Sequence, residues 1–140
     1  MMSSEAIRPL PSPTALTEPF WKAAAEHRLV AQCCDACGRL RHYPRPMCPV
    51  CYATQTSWQQ LSGRGHIYSY SVAHRAFHPF WADRVPYVIA TIELEEGIRM
   101  LSEMPDLAPE SVAIGLPVMV DFEPIEAGLT LPFFRVVSDG

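Results

Sequence analysis

The chain has 140 residues, 49% of them hydrophobic and 19% charged, with a formal net charge of −4. That composition supports one folded domain, or two small modules, and excludes wholesale disorder. The acidic balance argues against a general phosphate-backbone binder, and no apolar run approaches the roughly 18 residues needed to cross a bilayer.

Met1 to Leu16 is rich in Ser, Pro and Thr and reads as a flexible or partner-docking arm, residues 1–16. It lacks the apolar core of a secretory signal, so a cytoplasmic location is expected. From Thr17 the pattern becomes helical, and a helix is expected over 17–31. Thr17 is placed to cap, Pro19 is tolerable in the first turn, and Phe20, Trp21, Ala24, Ala25 and Leu29 recur at helical spacing. One short helix cannot bury two large aromatics alone. It has to pack on the rest of the chain or on a partner.

The next segment, 32–56, holds the most specific signal. All five cysteines lie between positions 33 and 51, and four of them form two C-x2-C pairs, Cys34/Cys37 and Cys48/Cys51. Each C-x2-C turn brings two thiolates onto one ion, and two such turns complete a tetrahedral S4 site. A disulfide framework would scatter its cysteines over the fold it staples; clustered pairs predict a metal in a reducing compartment. A closed S4 site leaves no position for water or substrate, so its role is structural. Zinc is the common occupant of such ribbons, while iron would make a redox centre.

Cys34 is preferred over Cys33 as ligand because Gly38 follows Cys37, where a small residue lets backbone N–H groups turn toward sulfur. Tyr52 occupies the equivalent place in the second knuckle. Between the pairs, Arg39 to Met47 carries extended residues and prolines that fit the hairpin of a zinc ribbon. A core this small depends on its metal for much of its folding free energy.

Ser57 to Gly63 reads as a linker, and period-two alternation then predicts strands over 65–74, 86–95, 97–104, 117–123 and 131–137. Glu95-Glu96-Gly97 signals a hairpin, and Pro109 to Ala113 a short helical turn. Five strands with a helical insertion between the third and fourth describe an OB-type barrel over 57–140. The expected fold is therefore mainly β: an N-terminal helix, a zinc ribbon and a five-stranded OB-fold barrel. Arg75 to Arg84 joins the first two barrel strands yet carries Phe77, Phe80 and Trp81. These aromatics either form an exposed patch for a partner or an apolar ligand, or fold back to plug one end of the barrel.

Independent catalysis finds little support. His66, His74 and His78 are near in sequence, but His66 and His74 lie about 26 Å apart on an extended strand and cannot share a metal. No nucleophile elbow, phosphate loop or H-E-x-x-H helix is present. A different class of function, single-stranded nucleic-acid binding, would use Tyr68, Tyr70, Phe77 or Trp81 as stacking platforms. Against it stands the acidic charge, with cations concentrated at Arg39, Arg41 and Arg45 of the ribbon. Those three are alternatively suited to an acidic partner surface.

The ordered combination of the aromatic helix, Cys34-x2-Cys37-Gly38, Cys48-Pro49-x-Cys51, Gly63-Arg64-Gly65, Val85-Pro86-Tyr87-Val88, Ile114-Gly115-Leu116-Pro117-Val118 and Leu131-Pro132-Phe133 resembles one family. It is similar to the bacterial and archaeal zinc-ribbon/OB-fold proteins once grouped as domain of unknown function 35, over about residues 17–137. The resemblance implies a rubredoxin-like ribbon, a structural zinc on Cys34, Cys37, Cys48 and Cys51, and an OB domain that contacts acyl-CoA. It further implies an accessory subunit of a thiolase-superfamily enzyme, a sterol-carrier-type thiolase or thiolase-like aldolase, whose catalytic residues belong to the partner. In that role Phe20, Trp21, Phe77, Phe80 and Trp81 would meet the partner, and Arg64 the acyl-CoA.

Overall fold

A computed structural model describes residues 8–137. The part of the expected arm before Arg8 lies outside the described residues. Helix α1 spans Glu18–Ala25, shorter than the expected 17–31. His27 stops it by adopting a left-handed backbone, φ 60°. The His27 N–H then bonds the Ala24 carbonyl and the Arg28 N–H that of Ala23, a Schellman ending that satisfies the last free carbonyls. Thr17 sits at the N-cap without a side-chain capping bond; its hydroxyl instead accepts from the Thr14 N–H.

Strands β1 (Val30–Cys34), β2 (Leu40–Arg41) and β3 (Thr56–Gln60) form the ribbon sheet in the order β2-β1-β3. β3 falls mostly in the expected linker. Its sequence, Thr-Ser-Trp-Gln-Gln, has one apolar residue and so no alternation of its own; pairing with β1 from Val30↔Gln60 to Cys34↔Thr56 makes it a strand.

The second sheet contains β4 (Arg64–Ala73), β5 (Tyr87–Leu94), β6 (Arg99–Glu103), β7 (Pro117–Pro124) and β8 (Thr130–Val136), in the order β6-β5-β4-β7-β8. These are the five strands expected from periodicity, within two residues at each end. The expected helical turn is a 3-10 turn at Pro109–Ser111, between β6 and β7. β6 and β8, the two sheet edges, approach each other, and the Phe134 N–H donates to the Ser102 hydroxyl at 3.1 Å. This contact curls the sheet into an OB-type barrel. Along β5, Val88, Ala90, Ile92 and Leu94 are buried while their alternates are half-exposed, as a closed barrel requires.

The ribbon and barrel are not independent beads. Phe20 of α1 and Leu29 and Ala31 from the base of β1 belong to the same buried cluster as Ile67, Ile92, Met100 and Phe134 of the barrel. Phe20, expected to meet a partner, is instead buried within this chain, whereas Trp21 beside it is half-buried. The His42 ring packs 5.5 Å from the Phe20 ring and 4.3 Å from that of Tyr43. Burial there lowers its pKa from 6.5 to about 4.

Two expectations follow. A Cβ at Gly65 would stand 2.3 Å from the Glu93 carbonyl oxygen, a backbone atom that cannot give way while β4 and β5 stay paired. Gly65→Ala should cost about 2–3 kcal/mol, read as a fall in urea midpoint; an unchanged midpoint contradicts the packing described. Between pH 6.5 and 4 the unfolded chain binds a proton at His42 that the folded chain refuses. That contribution is retained above pH 6.5 and lost as pH falls toward 4, reaching ~2.5 kcal/mol near pH 4.5. The stability difference between His42→Phe and the parent should shift in the variant's favour by that amount between neutral pH and about pH 4.5. A difference independent of pH excludes a buried neutral imidazole.

Candidate metal centre and docking face

The two cysteine turns are built alike. In the first, the Cys34 N–H bonds the Arg39 carbonyl and the Gly38 N–H the Cys34 carbonyl; in the second, Cys48 N–H bonds Ala53 and Tyr52 N–H bonds Cys48. Gly38 and Tyr52 hold equivalent positions with φ 78° and 64°. Glycine adopts this conformation freely, whereas Tyr52 carries a penalty of roughly 1–2 kcal/mol. The second knuckle thus keeps the geometry without the residue type that normally supplies it.

The thiol sulfurs of Cys34, Cys37, Cys48 and Cys51 all lie within 4.8 Å of one another, with Cys34 to Cys51 at 3.5 Å and Cys37 to Cys48 at 3.8 Å. A tetrahedral zinc with Zn–S bonds of about 2.3 Å requires sulfur–sulfur edges near 3.8 Å, so the residues fit the ion. Backbone N–H groups prepare the sulfurs. Those of Cys51 and Val50 hold the Cys48 thiol down to about 6, and those of Cys37 and Ala36 lower Cys34. Cys51 is lowered by the Ala53 N–H, but the Cys34 sulfur, burial, and the Cys48 and Cys37 sulfurs together outweigh this and push it up to about 11. Four thiolates in so small a space need a cation. Cys34 and Cys48 are buried, Cys37 and Cys51 exposed.

Cys33 is not one of the four. It faces the other side of β1, half-buried, with its S–H directed at the Gly38 carbonyl at 3.6 Å. Among the ribbon cations proposed for external anions, Arg41 is buried and only Arg39 and Arg45 are exposed. The reach of Arg41 into the sheet was not legible from its place in a run of basic residues.

The Arg75–Arg84 segment lies along the outside of the barrel and does not plug it. Trp81 stacks on Tyr87 of β5, with rings 6.1 Å apart, and meets Phe80 edge to face at 4.8 Å. The Phe80 ring carries Arg84 at 4.1 Å and Arg8 at 4.7 Å, and Arg8 also bonds Glu103 at 2.8 Å. The stretch from Arg8 is thereby anchored to the barrel wall. Phe77 stands clear with 89% of its surface exposed. Apart from it, half-buried Trp81, Tyr87 and Ile89 and exposed Leu101 line one apolar stretch of the barrel wall, and the Tyr43 hydroxyl accepts the Leu101 N–H at 3.3 Å at its border with the ribbon.

The histidines have local duties. His66 pairs with Glu93 at 3.4 Å, His78 accepts the Phe80 N–H at 3.0 Å to start a 3-10 turn, and His74 is exposed. Arg64 is exposed at the rim of a cleft of about 730 Å³ lined also by His66, Glu93, Val118 and Met119. Among the described residues no helix is long and apolar enough to cross a membrane.

Comparison with known proteins agrees with this geometry. Residues 21–57 match the family described as "ChsH2, rubredoxin-like zinc ribbon domain", and residues 58–123 that described as "ChsH2, C-terminal OB-fold domain". A chain of the solved "Ltp2-ChsH2(DUF35) aldolase" superposes with a TM-score of 0.81 at 40% identity, covering 91% of this chain and 98% of that one. A "DUF35 domain-containing scaffold protein" of Methanocaldococcus jannaschii is 40% identical over 108 residues, 76% of each chain. A "Probable enoyl-CoA hydratase alpha subunit" of Thermomonospora curvata is 41% identical over 131 residues, 94% of this chain. This chain spans only 40% of that relative's length.

The four thiolates thus form the structural zinc site of a rubredoxin-like ribbon. Cys34→Ser should abolish stoichiometric zinc and open the ribbon, whereas Cys33→Ser should retain one zinc per chain by elemental analysis. Loss of zinc from Cys33→Ser contradicts the ligand set.

Proposed function

The chain belongs to the ChsH2, or DUF35, family of zinc-ribbon/OB-fold proteins, and from that membership we propose that it is a non-catalytic subunit of a thiolase-superfamily enzyme. The partner, a sterol-carrier-type thiolase or thiolase-like aldolase acting on lipid or steroid side-chain acyl-CoA, supplies the reacting groups. This chain supplies a rigid docking face and part of the acyl-CoA channel. The observation that carries the reading is the apolar wall of Trp81, Tyr87, Ile89 and Leu101, with Phe80 beside Trp81 held by two guanidinium–aromatic contacts and the exposed ring of Phe77 in the same loop. A side chain as apolar and exposed as Phe77 gains nothing from solvent and stabilises the chain little where it stands.

Supporting evidence is of two kinds. One solved relative is an "Ltp2-ChsH2(DUF35) aldolase", and another relative is a "Probable enoyl-CoA hydratase alpha subunit". Among the described residues, the four cysteines make a closed metal site and His66 and His78 are engaged locally, which supports a scaffold role. Arg64, free of ion pairs among the described residues, is the cation assigned to the CoA phosphates at the rim of its cleft.

The test is co-expression with a thiolase-superfamily protein encoded beside this chain, followed by size-exclusion chromatography and acyl-CoA turnover. Phe77→Ala removes a ring that is 89% exposed, so its fold and zinc content should match the parent. Its affinity for the partner should drop at least about 10-fold, in the range of an interface anchor. Parent-like affinity in both Phe77→Ala and Trp81→Ala overturns the assigned face. Retention of single-stranded oligonucleotides with a strong salt dependence would instead favour nucleic-acid binding.

A further inference from the structure

The ribbon sheet carries a charge that its zinc ligands leave unexplained. Arg41 ends β2, directly opposite Gln32 of β1. β1 lies between β2 and β3, yet Arg41 Nη2 donates to Thr56 Oγ1 on β3 at 2.9 Å and to the Arg45 carbonyl at 3.1 Å. The side chain therefore crosses over the face of β1. Thr56 is the register partner of Cys34, and Gln32 and Cys34, two residues apart, share one face of the strand. The guanidinium head thus lies on the face of β1 that carries Cys34, at the end of the sheet where the four sulfurs gather.

Its surroundings are unusual for a cation. Arg41 is 9% exposed and makes no ion pair among the described residues. Its Nε and Nη1 are shut off from solvent with no hydrogen-bond partner. A buried charge left without an opposite charge is strongly unfavourable. A divalent ion held by four thiolates has a net charge of about two negative units, in the same small module.

We propose that Arg41 is the built-in counter-charge of the metal–thiolate centre. Its guanidinium offsets the negative charge that appears when all four sulfurs bind zinc, and the loaded centre in turn compensates the buried cation. Metal affinity and a folded ribbon then depend on each other through one side chain that touches no ligand in the chain of bonds to zinc. Arg41 is a positioning residue, and the alternative role is a neutral strut that ties the second knuckle, through Arg45, to β3.

The experiment is zinc affinity of the full chain, measured by competition with a chromophoric chelator, with cobalt absorption as a check on the site. Arg41→Met, which keeps the length and removes the charge, should weaken zinc binding by about 10–100-fold, the range for groups that support metal ligands. Arg41→Lys keeps the charge and loses the fork, and should stay within ~3-fold of the parent. Thr56→Val removes the strut bond and keeps the charge, and should also stay within ~3-fold, with unchanged tetrahedral cobalt–thiolate bands. Parent-like affinity in Arg41→Met overturns the proposal. So does a loss of 10-fold or more in Arg41→Lys and Thr56→Val, a result that stands even if Arg41→Met fails to fold.

Discussion

Four sulfurs within 4.8 Å of one another repel as thiolates, and the geometry is stable only around a cation. Much of the molecule is arranged about that requirement. Two knuckles of identical backbone bonding aim N–H groups at sulfur; β1 carries Cys34 at one end and, at the other, Ala31, which with Leu29 just before the strand lies in the core shared with the barrel. The metal centre is thus linked to the barrel through β1 and its partner β3, which runs on to Leu61 of the same core. A ribbon of this size cannot bury enough apolar surface to stand alone, and the ion supplies what the core lacks.

The barrel serves a different end. Its interior is conventional, filled by alternate residues of β5 and their partners, while its outer wall beside the ribbon remains apolar. The 3-10 turn at Pro79–Trp81 fixes that wall: His78 caps it, Tyr87 stacks under Trp81, and Arg8 and Arg84 hold Phe80. Rigidity before docking reduces the ordering cost of association. The arrangement suits a subunit whose contribution is shape, with the chemistry on another chain.

The legible parts of the sequence were those governed by local spacing. C-x2-C turns depend on two intervening residues, and Gly38 distinguished Cys34 from Cys33 without reference to the rest of the fold. Period two located all five barrel strands, most plainly β5, where every second residue is buried. What was not legible was set by tertiary partners. β3 has one apolar side chain and is a strand only through β1. His27 ends α1 by adopting a conformation that its side chain does not announce. Phe20 and Trp21 are adjacent and equally aromatic, yet the helix rotation sends one into the core and leaves the other half-buried at the surface. Arg41 read as one of three surface cations because nothing in Arg-Leu-Arg-His says which guanidinium will cross a strand.

The packing of α1 against β8 has a kinetic side. Helix and strand are about a hundred residues apart in the chain, and the bond that closes the barrel joins Phe134 to Ser102. Contacts so distant in sequence form late, because the intervening chain must first be ordered. The knuckles, by contrast, involve fewer than twenty residues and are complete long before β8 leaves the ribosome. During synthesis the ion can seat first, and the growing chain then has a fixed edge, β1, on which the barrel is assembled. Until β8 arrives, Phe20 and the inner face of β5 stay uncovered, which makes the last strand the step that ends exposure to aggregation.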